Sequence, residues 1–255
     1  MTEQTQERYA NEREFFDGVA SLADVQPMSR RELDRYAHPR QPHLFAKEKV
    51  FALLDDAQGK KLLEVGCGQG IVSVQLANLG AQVVGLDISS KSIEVARRRI
   101  EINGFEATFQ VANIETDDLG TELYDVVVCY DVLHHVVPAL NEVMTRIRRC
   151  LKPGGKFLSR EPVAYAAWLK KLRRALPVKM NETAGERPLR AAEFEIIQKH
   201  FPNLKTWYFR LSARIDSVTE NLGLIRQAAR VDNLLLKIPG AKRLAGDVVL
   251  FATKQ

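Results

Sequence analysis

The stretch LLEVGCGQGIVSVQLA, residues 62–77, begins as an apolar run and passes through glycines at 66, 68 and 70 before continuing as a helix-length series of aliphatic and small residues. A short, nearly unbroken apolar run reads as a strand buried on both faces of a parallel sheet. Gly66, Gly68 and Gly70 let the backbone turn off the strand end and let a ligand approach with no Cβ in the way. Dinucleotide-binding loops place their third glycine one residue later, as G-x-G-x-x-G, so the G-x-G-x-G spacing with Glu64 ahead of it argues against a pyrophosphate cradle.

The surroundings of this stretch repeat its pattern. KLLEV (61–65), QVVGL (82–86), ATFQV (107–111), YDVVVC (124–129) and GKFLSRE (155–161) are strand candidates separated by amphipathic segments, the signature of a parallel sheet covered on both faces. Ile93, Ala96 and Ile100 recur at helical spacing in a segment that stops at Asn103-Gly104, and Pro138–Leu151 reads as a second helix whose end, LKPGGK, turns into the fifth strand. Residues 1–58 read as helices broken near Pro27 and across HPRQPH, and they are expected to form an N-terminal lid on a core of residues 59–255. Two further strand candidates, LKTWYFRL (204–211) and DVVLFATK (247–254), bracket a stretch of residues 211–246 that is long enough to hold helices of its own. Cap insertions are expected near 163–190 and 211–246.

With 45% hydrophobic and 27% charged residues in 255, the chain has the balance of an ordinary globular protein and not of a disordered one. Cys67, Cys129 and Cys150 show no CxxC spacing and leave an odd thiol, which argues against a disulfide framework or a cysteine zinc site and fits a reducing cytoplasm. The polar N-terminus lacks a signal-peptide core, and no apolar run reaches bilayer-spanning length, so a soluble protein is expected. The net charge of +5 is compatible with nucleic acid, anionic lipid or an acidic metabolite as partner, although so mild an excess is commonest as solvated surface.

Asp87 ends the second strand in VVGLDIS, where a carboxylate can accept from both hydroxyls of a ribose. Its alternative role is to cap the next helix, a place Ser89 or Ser90 fills equally well. His134 and His135 follow the fourth strand and have the unperturbed pKa of a general base, while one of such a pair commonly packs at the start of the following helix. His38 and His43 have no partner at metal-ligand spacing, and no metal is assigned.

Taken in order, Glu64 to Gly70, the strand ending at Asp87, YDVVVCYDVLHHV (124–136) and LKPGGKFL (151–158) make residues 60–162 resemble class I S-adenosylmethionine-dependent methyltransferases, particularly those acting on small molecules, quinones or lipids. The resemblance implies an α/β fold with a Rossmann-like, seven-stranded, mostly parallel sheet and helices on both faces. It further implies S-adenosyl-L-methionine as cofactor, with Glu64, Gly66, Cys67, Gly68 and Gly70 beside the methionine moiety and Glu64 and Gly66 nearest it. Asp87 would hold the ribose, Ile88 would pack on the adenine, and Tyr130 ends the fourth strand nearby. The family often has an aspartate where Asn113 stands beside Ile114, and the Asn113 carbonyl can still accept from the adenine amine.

Methyl transfer is an in-line displacement on an electrophile already activated by the sulfonium, so the protein mainly aligns the acceptor and excludes water. A base is needed only for an acceptor that must lose a proton, and His134 is expected to face the substrate while His135 packs. Tyr36, Arg160, Tyr165 and Trp168 are candidate substrate contacts, as aromatic walls and a cation, with Arg173, Arg174 and Arg187 as further cations. The basic segment VAYAAWLKKLRRALPVK (163–179) reads either as a wet lid helix or as a peripheral contact with an anionic membrane. The acceptor is expected to be a small molecule, lipidic or quinone-like ones included, methylated on O, N or C. A nucleic-acid acceptor is disfavoured because no Asn/Asp-Pro-Pro-aromatic motif follows the fourth strand and Cys129 lacks a Pro-Cys context. A protein that binds the cofactor without transferring its methyl is the other alternative, since fold alone does not settle function.

Overall fold

The computed structural model describes residues 3–163, 187–211 and 221–255. Three helices come first, α1 (Glu3–Ser21), α2 (Arg30–Ala37) and α3 (Ala46–Leu54). The core then alternates β1 (Lys61–Val65), α4 (Ile71–Asn78), β2 (Gln82–Asp87), α5 (Ser90–Ile102), β3 (Ala107–Val111), β4 (Tyr124–Tyr130), α6 (Leu140–Cys150) and β5 (Leu151–Pro162). It closes with α7 (Ala191–His200), β6 (Lys205–Phe209), α8 (Leu222–Leu235) and β7 (Asp247–Thr253).

The seven strands form one sheet in the order β3-β2-β1-β4-β5-β7-β6. β1 to β5 are parallel, and β7 runs antiparallel between β5 and β6. The order reverses at β1, which lies between β2 and β4. The carboxyl ends of β1 and β4 therefore diverge into helices on opposite faces and leave a crevice at the switch point. The implied α/β architecture is the observed one.

Local chemistry explains the elements. β1 and β4 are almost wholly buried because helices cover both faces, so their sequences read as continuous apolar runs. Leu63, Val65, Val127 and Cys129 face a core with α6 and α7, while Leu62, Val126 and Val128 face another with α3, α4 and α5. In α6 the buried residues Leu140, Val143, Met144 and Ile147 follow the 3.6-residue period. Ser89 is the N-cap of α5 and its hydroxyl accepts from the Ser92 amide at 2.9 Å.

The fifth strand begins earlier than expected: Leu151 already pairs with Tyr124, and the Lys-Pro-Gly-Gly turn is absorbed as a register shift before pairing resumes at Val126. The expected helix of 163–179, with Tyr165, Trp168, Arg173 and Arg174, lies almost entirely outside the described residues. The 211–246 stretch contains α8, and among the described residues no helix is long and apolar enough to cross a membrane.

Candidate functional site

The three glycines after β1 do three different things. A Cβ on Gly66 would stand 2.2 Å from Val132 Cγ2, and one on Gly70 would stand 2.9 Å from Ala96 Cβ, so these two permit close packing of the following turn and of α5. Gly68, at φ +50°, has nothing within 4 Å of where its Cβ would be. Of the three, it alone presents open space, and it lies in the wall of a cleft. Gly66 also reaches that wall. Cys67 is buried in the core beneath the loop, and of the three glycines Gly66 and Gly68 line the cleft.

Asp87 ties the loop to the next turn. One carboxylate oxygen accepts from the Gly68 amide at 2.8 Å and the other from the Ser89 amide at 2.9 Å. Ser89 holds the helix-capping position, so Asp87 keeps its remaining lone pairs for the cleft it lines. Burial pushes its carboxyl above the usual carboxylate range, and the two amides draw it back. Ile88 and Ile114 supply apolar wall. The Asn113 carbonyl, expected to be aimed at an adenine amine, accepts the Glu115 amide at 2.9 Å in a tight turn instead.

The opposite wall is α1, through Tyr9, Glu12 and Phe16. Its most deeply placed side chains include a carboxylate, Glu12, and polar contacts latch it down. Arg8 makes a two-pronged pair with Glu115, at 2.7 Å on its Nη1 side, and the Tyr9 hydroxyl donates to Glu115 at 2.9 Å. Asp17 accepts from the Ser89 hydroxyl at 2.6 Å, and Glu12 stands 3.4 Å from His135 Nδ1.

The turn after β4 closes the inner end. Asp131 lines the cleft at φ +60°, a backbone conformation that costs energy for a non-glycine residue and is held here by the hydrogen bond its amide donates to the Arg160 carbonyl and by its side-chain pair with the Arg160 guanidinium. Glu161 organises the rest of the turn. Its buried carboxylate accepts from the amides of Val132 (3.1 Å), Leu133 (2.9 Å) and His134 (3.3 Å), from the Ser159 hydroxyl at 2.9 Å, and is 2.7 Å from His134 Nδ1. These donors hold the Glu161 carboxyl below its usual range against the effect of burial. The two histidines thus divide in the opposite sense to that expected. His134, 4% exposed, is seated on Glu161, whereas His135 lines the cleft, edge-on to Phe16 at 5.4 Å between centroids.

On the far side of the glycine turn lies a group that sequence reasoning missed. Lys47 Nζ, from α3, stands 4.6 Å from the Tyr36 ring centroid and 5.6 Å from that of Tyr130, both within cation–π range. Its charge acts on buried Glu64, 2% exposed, whose carboxylate accepts the Ser73 hydroxyl, and on Asp131 at the inner end of the cleft. Burial lowers the Lys47 ammonium to about 8 and raises the Glu64 carboxyl to about 8. Nothing in AKEKVFALL sets Lys47 apart from Lys49, because only the fold brings α3 to the end of β1. Tyr36 packs on Phe51 at 5.0 Å, and Tyr130 sits between Lys47 and Arg160 and not in the cleft wall. Arg160, expected as a free cation for a substrate, is neutralised by Asp131 and by Asp247 at 2.7 Å, and Arg187 is likewise paired with Glu193 at 2.7 Å.

A sheet of this order with its final strand reversed, and a cleft at the glycine turn between β1 and β2, define a class I S-adenosylmethionine-dependent methyltransferase. Residues 56–208 match the family described as Methyltransferase domain, and the chain belongs to it. The cleft is lined by the Asp87 and Asp131 carboxylates and by apolar wall from Leu86, Ile88 and Ile114. Among curated relatives, the ubiquinone biosynthesis O-methyltransferase of Idiomarina loihiensis is 39% identical over 117 residues, which is 45% of this chain and 48% of that one. The chain thus matches about half the length of such relatives. Solved structures carry the likeness further at low identity. Geranyl diphosphate C-methyltransferase from Streptomyces coelicolor A3(2), in complex with Mg2+, geranyl diphosphate and S-adenosyl-L-homocysteine, superposes with a TM-score of 0.61 at 14% identity, covering 97% of this chain and 98% of that one. Phosphoethanolamine N-methyltransferase 2 of Haemonchus contortus, in complex with S-adenosyl-L-methionine, gives 0.54 at 20% identity, covering 81% and 52%.

Proposed function

We propose that this enzyme methylates a lipophilic small molecule, quinone-like compounds included. Three parts of the molecule serve that reaction: the cleft beside Asp87 takes the adenosine, the Glu64–Lys47 pair takes the amino-acid end of the cofactor, and the Asp131–His135 turn borders the acceptor. The observation that carries the reading is that Lys47, beside Tyr130, and buried Glu64 feel each other's charge next to the glycine turn. The methionine end of the cofactor is a zwitterion: the Lys47 ammonium would face its carboxylate, and Glu64, whose carboxyl burial raises to about 8, would face its ammonium and give up its proton on pairing with it. Asp87 then accepts ribose hydroxyls, and Ile88 and Ile114 flank the base. Among the described residues the candidate cations Arg160 and Arg187 are both paired, which favours an apolar acceptor over a strongly acidic one, as does the similarity to ubiquinone biosynthesis O-methyltransferases.

In the reaction this chain would bind and orient the acceptor and keep water out. Where the acceptor is a hydroxyl, His135, on the cleft wall next to Glu12, is better placed to receive its proton than His134, whose Nδ1 is committed to Glu161. His134 would act as a positioning residue for the turn. The test is incubation of the full chain with methyl-deuterated S-adenosylmethionine and a lipid extract, read by mass spectrometry. Labelled methyl on an extractable lipophilic product supports the reading, and label confined to nucleic acid or to water-soluble acids would replace it.

A further inference from the structure

Between β6 and β7 the chain raises α8, and three stripes run along it. Ile225 and Asp232 turn toward the protein, Asp232 buried. Leu224, Val231, Leu234 and Leu235, continued by Ile238 in the turn that follows, form an outward apolar stripe, with Val231 54% and Leu234 63% exposed. Arg226, Arg230 and Lys237 fall along the adjacent exposed stripe at the 3.6-residue period. The only carboxylate in residues 221–246 is buried Asp232, against five cations, and among the described residues no ion pair engages those three. A soluble surface seldom leaves large aliphatic side chains contiguous beside a row of charges of one sign.

We propose that α8 docks this enzyme on an anionic lipid bilayer, lying in the interface with its aliphatic stripe among the acyl chains and its cations at the headgroups. A bilayer supplies apolar depth and negative charge together. A second copy of this chain would instead bring the same cations against one another across a two-fold interface. Placement agrees with this occupant: β6 ends at Phe209 opposite Asp247, where β7 begins beside Pro162, so α8 rises from the edge of the sheet that carries Asp131 and the mouth of the site. A bilayer at this edge would present lipophilic acceptors to the crevice. Only that purpose rests on the proposed acceptor class, because the docking is measured with no acceptor and no cofactor.

The experiment is sedimentation of the full chain with vesicles of phosphatidylcholine alone or mixed with phosphatidylglycerol, for wild type, Val231→Asp/Leu235→Asp and Arg226→Gln/Arg230→Gln. The expected result is binding to the mixed vesicles that weakens with salt and is at least about tenfold lower in the aliphatic pair variant, from loss of buried aliphatic surface. Hydrogen exchange of wild-type residues 222–238, slowed on mixed vesicles, gives the same answer with no variant. Binding that survives both variants would assign the contact to another segment, such as the basic 163–179 stretch, and overturn the proposal. Equal affinity for both vesicle types, no binding, or a dimer that Val231→Asp/Leu235→Asp disperses would also overturn it.

Discussion

Lys47 and Glu64 have both lost most of their water, and burial moves their pKa values toward each other, to about 8 in each case. The consequence for stability has two limbs. Between the ordinary glutamate range and about 8, folded Glu64 keeps a proton that the unfolded chain has released, so stability falls as pH rises. Between about 8 and the ordinary lysine range, folded Lys47 lacks a proton that the unfolded chain holds, so stability recovers as pH rises. The cofactor-free protein should therefore show a dip in Tm near pH 8, flattened in Lys47→Met/Glu64→Gln and absent from neither single limb of the wild type. A melting series across pH checks this. The same pair predicts a selective binding defect. Lys47→Met should weaken S-adenosylmethionine by about 1.5–3 kcal/mol, the range for a hydrogen bond to a charged group, and leave 5′-methylthioadenosine, which has no amino-acid end, unaffected. Equal losses for the two ligands by calorimetry would place Lys47 elsewhere in the reaction.

At the scale of elements, the N-terminal segment divides its work. α1 walls the cleft, whereas α2 and α3 bring Tyr36 and Lys47 to the other side of the glycine turn. Loss of residues 1–40 should abolish transfer. With Tyr9, Glu12 and Phe16 in the cleft wall, cofactor retention should fall too. The latch makes a finer test, because α1 has little apolar surface to hold it and Arg8–Glu115 is its best-formed contact. Arg8→Ala should raise the cofactor off-rate roughly tenfold, equivalent to about 1.4 kcal/mol, with the melting temperature of the cofactor-free protein little changed. Stopped-flow displacement measures it, and an unaltered off-rate would mean that α1 does not gate the cleft.

For the whole molecule, binding and stability are linked because the cleft is assembled from β1, β2, β4 and α1, which are distant in sequence. S-adenosylmethionine at about 100 times its Kd should add about 2.7 kcal/mol and raise Tm by roughly 5–10 °C. Asp87→Ala should lose most of that rise at the same ligand concentration, since its carboxylate both faces the cleft and holds the Gly68 and Ser89 amides. Differential scanning calorimetry with and without ligand decides it. A full rise in the variant would remove Asp87 from the binding site.

Sequence alone determined what local pattern can encode. Parallel strands buried on two faces must be apolar throughout, a turn at φ values above zero selects glycine, and a helix announces itself by its period and its caps, so the sheet, the glycine turn and the strand-end position of Asp87 were all legible. Only the tertiary structure decided which neighbours those residues would meet. His134 and His135 are identical as letters, and they part because Glu161, on the adjacent strand, captures one ring and not the other. Arg160 reads as an available cation until β7 folds antiparallel beside β5 and brings Asp247 against it. Lys47 lies in an unremarked helix, and its weakened hold on a proton arises from burial that exists only once the chain is packed.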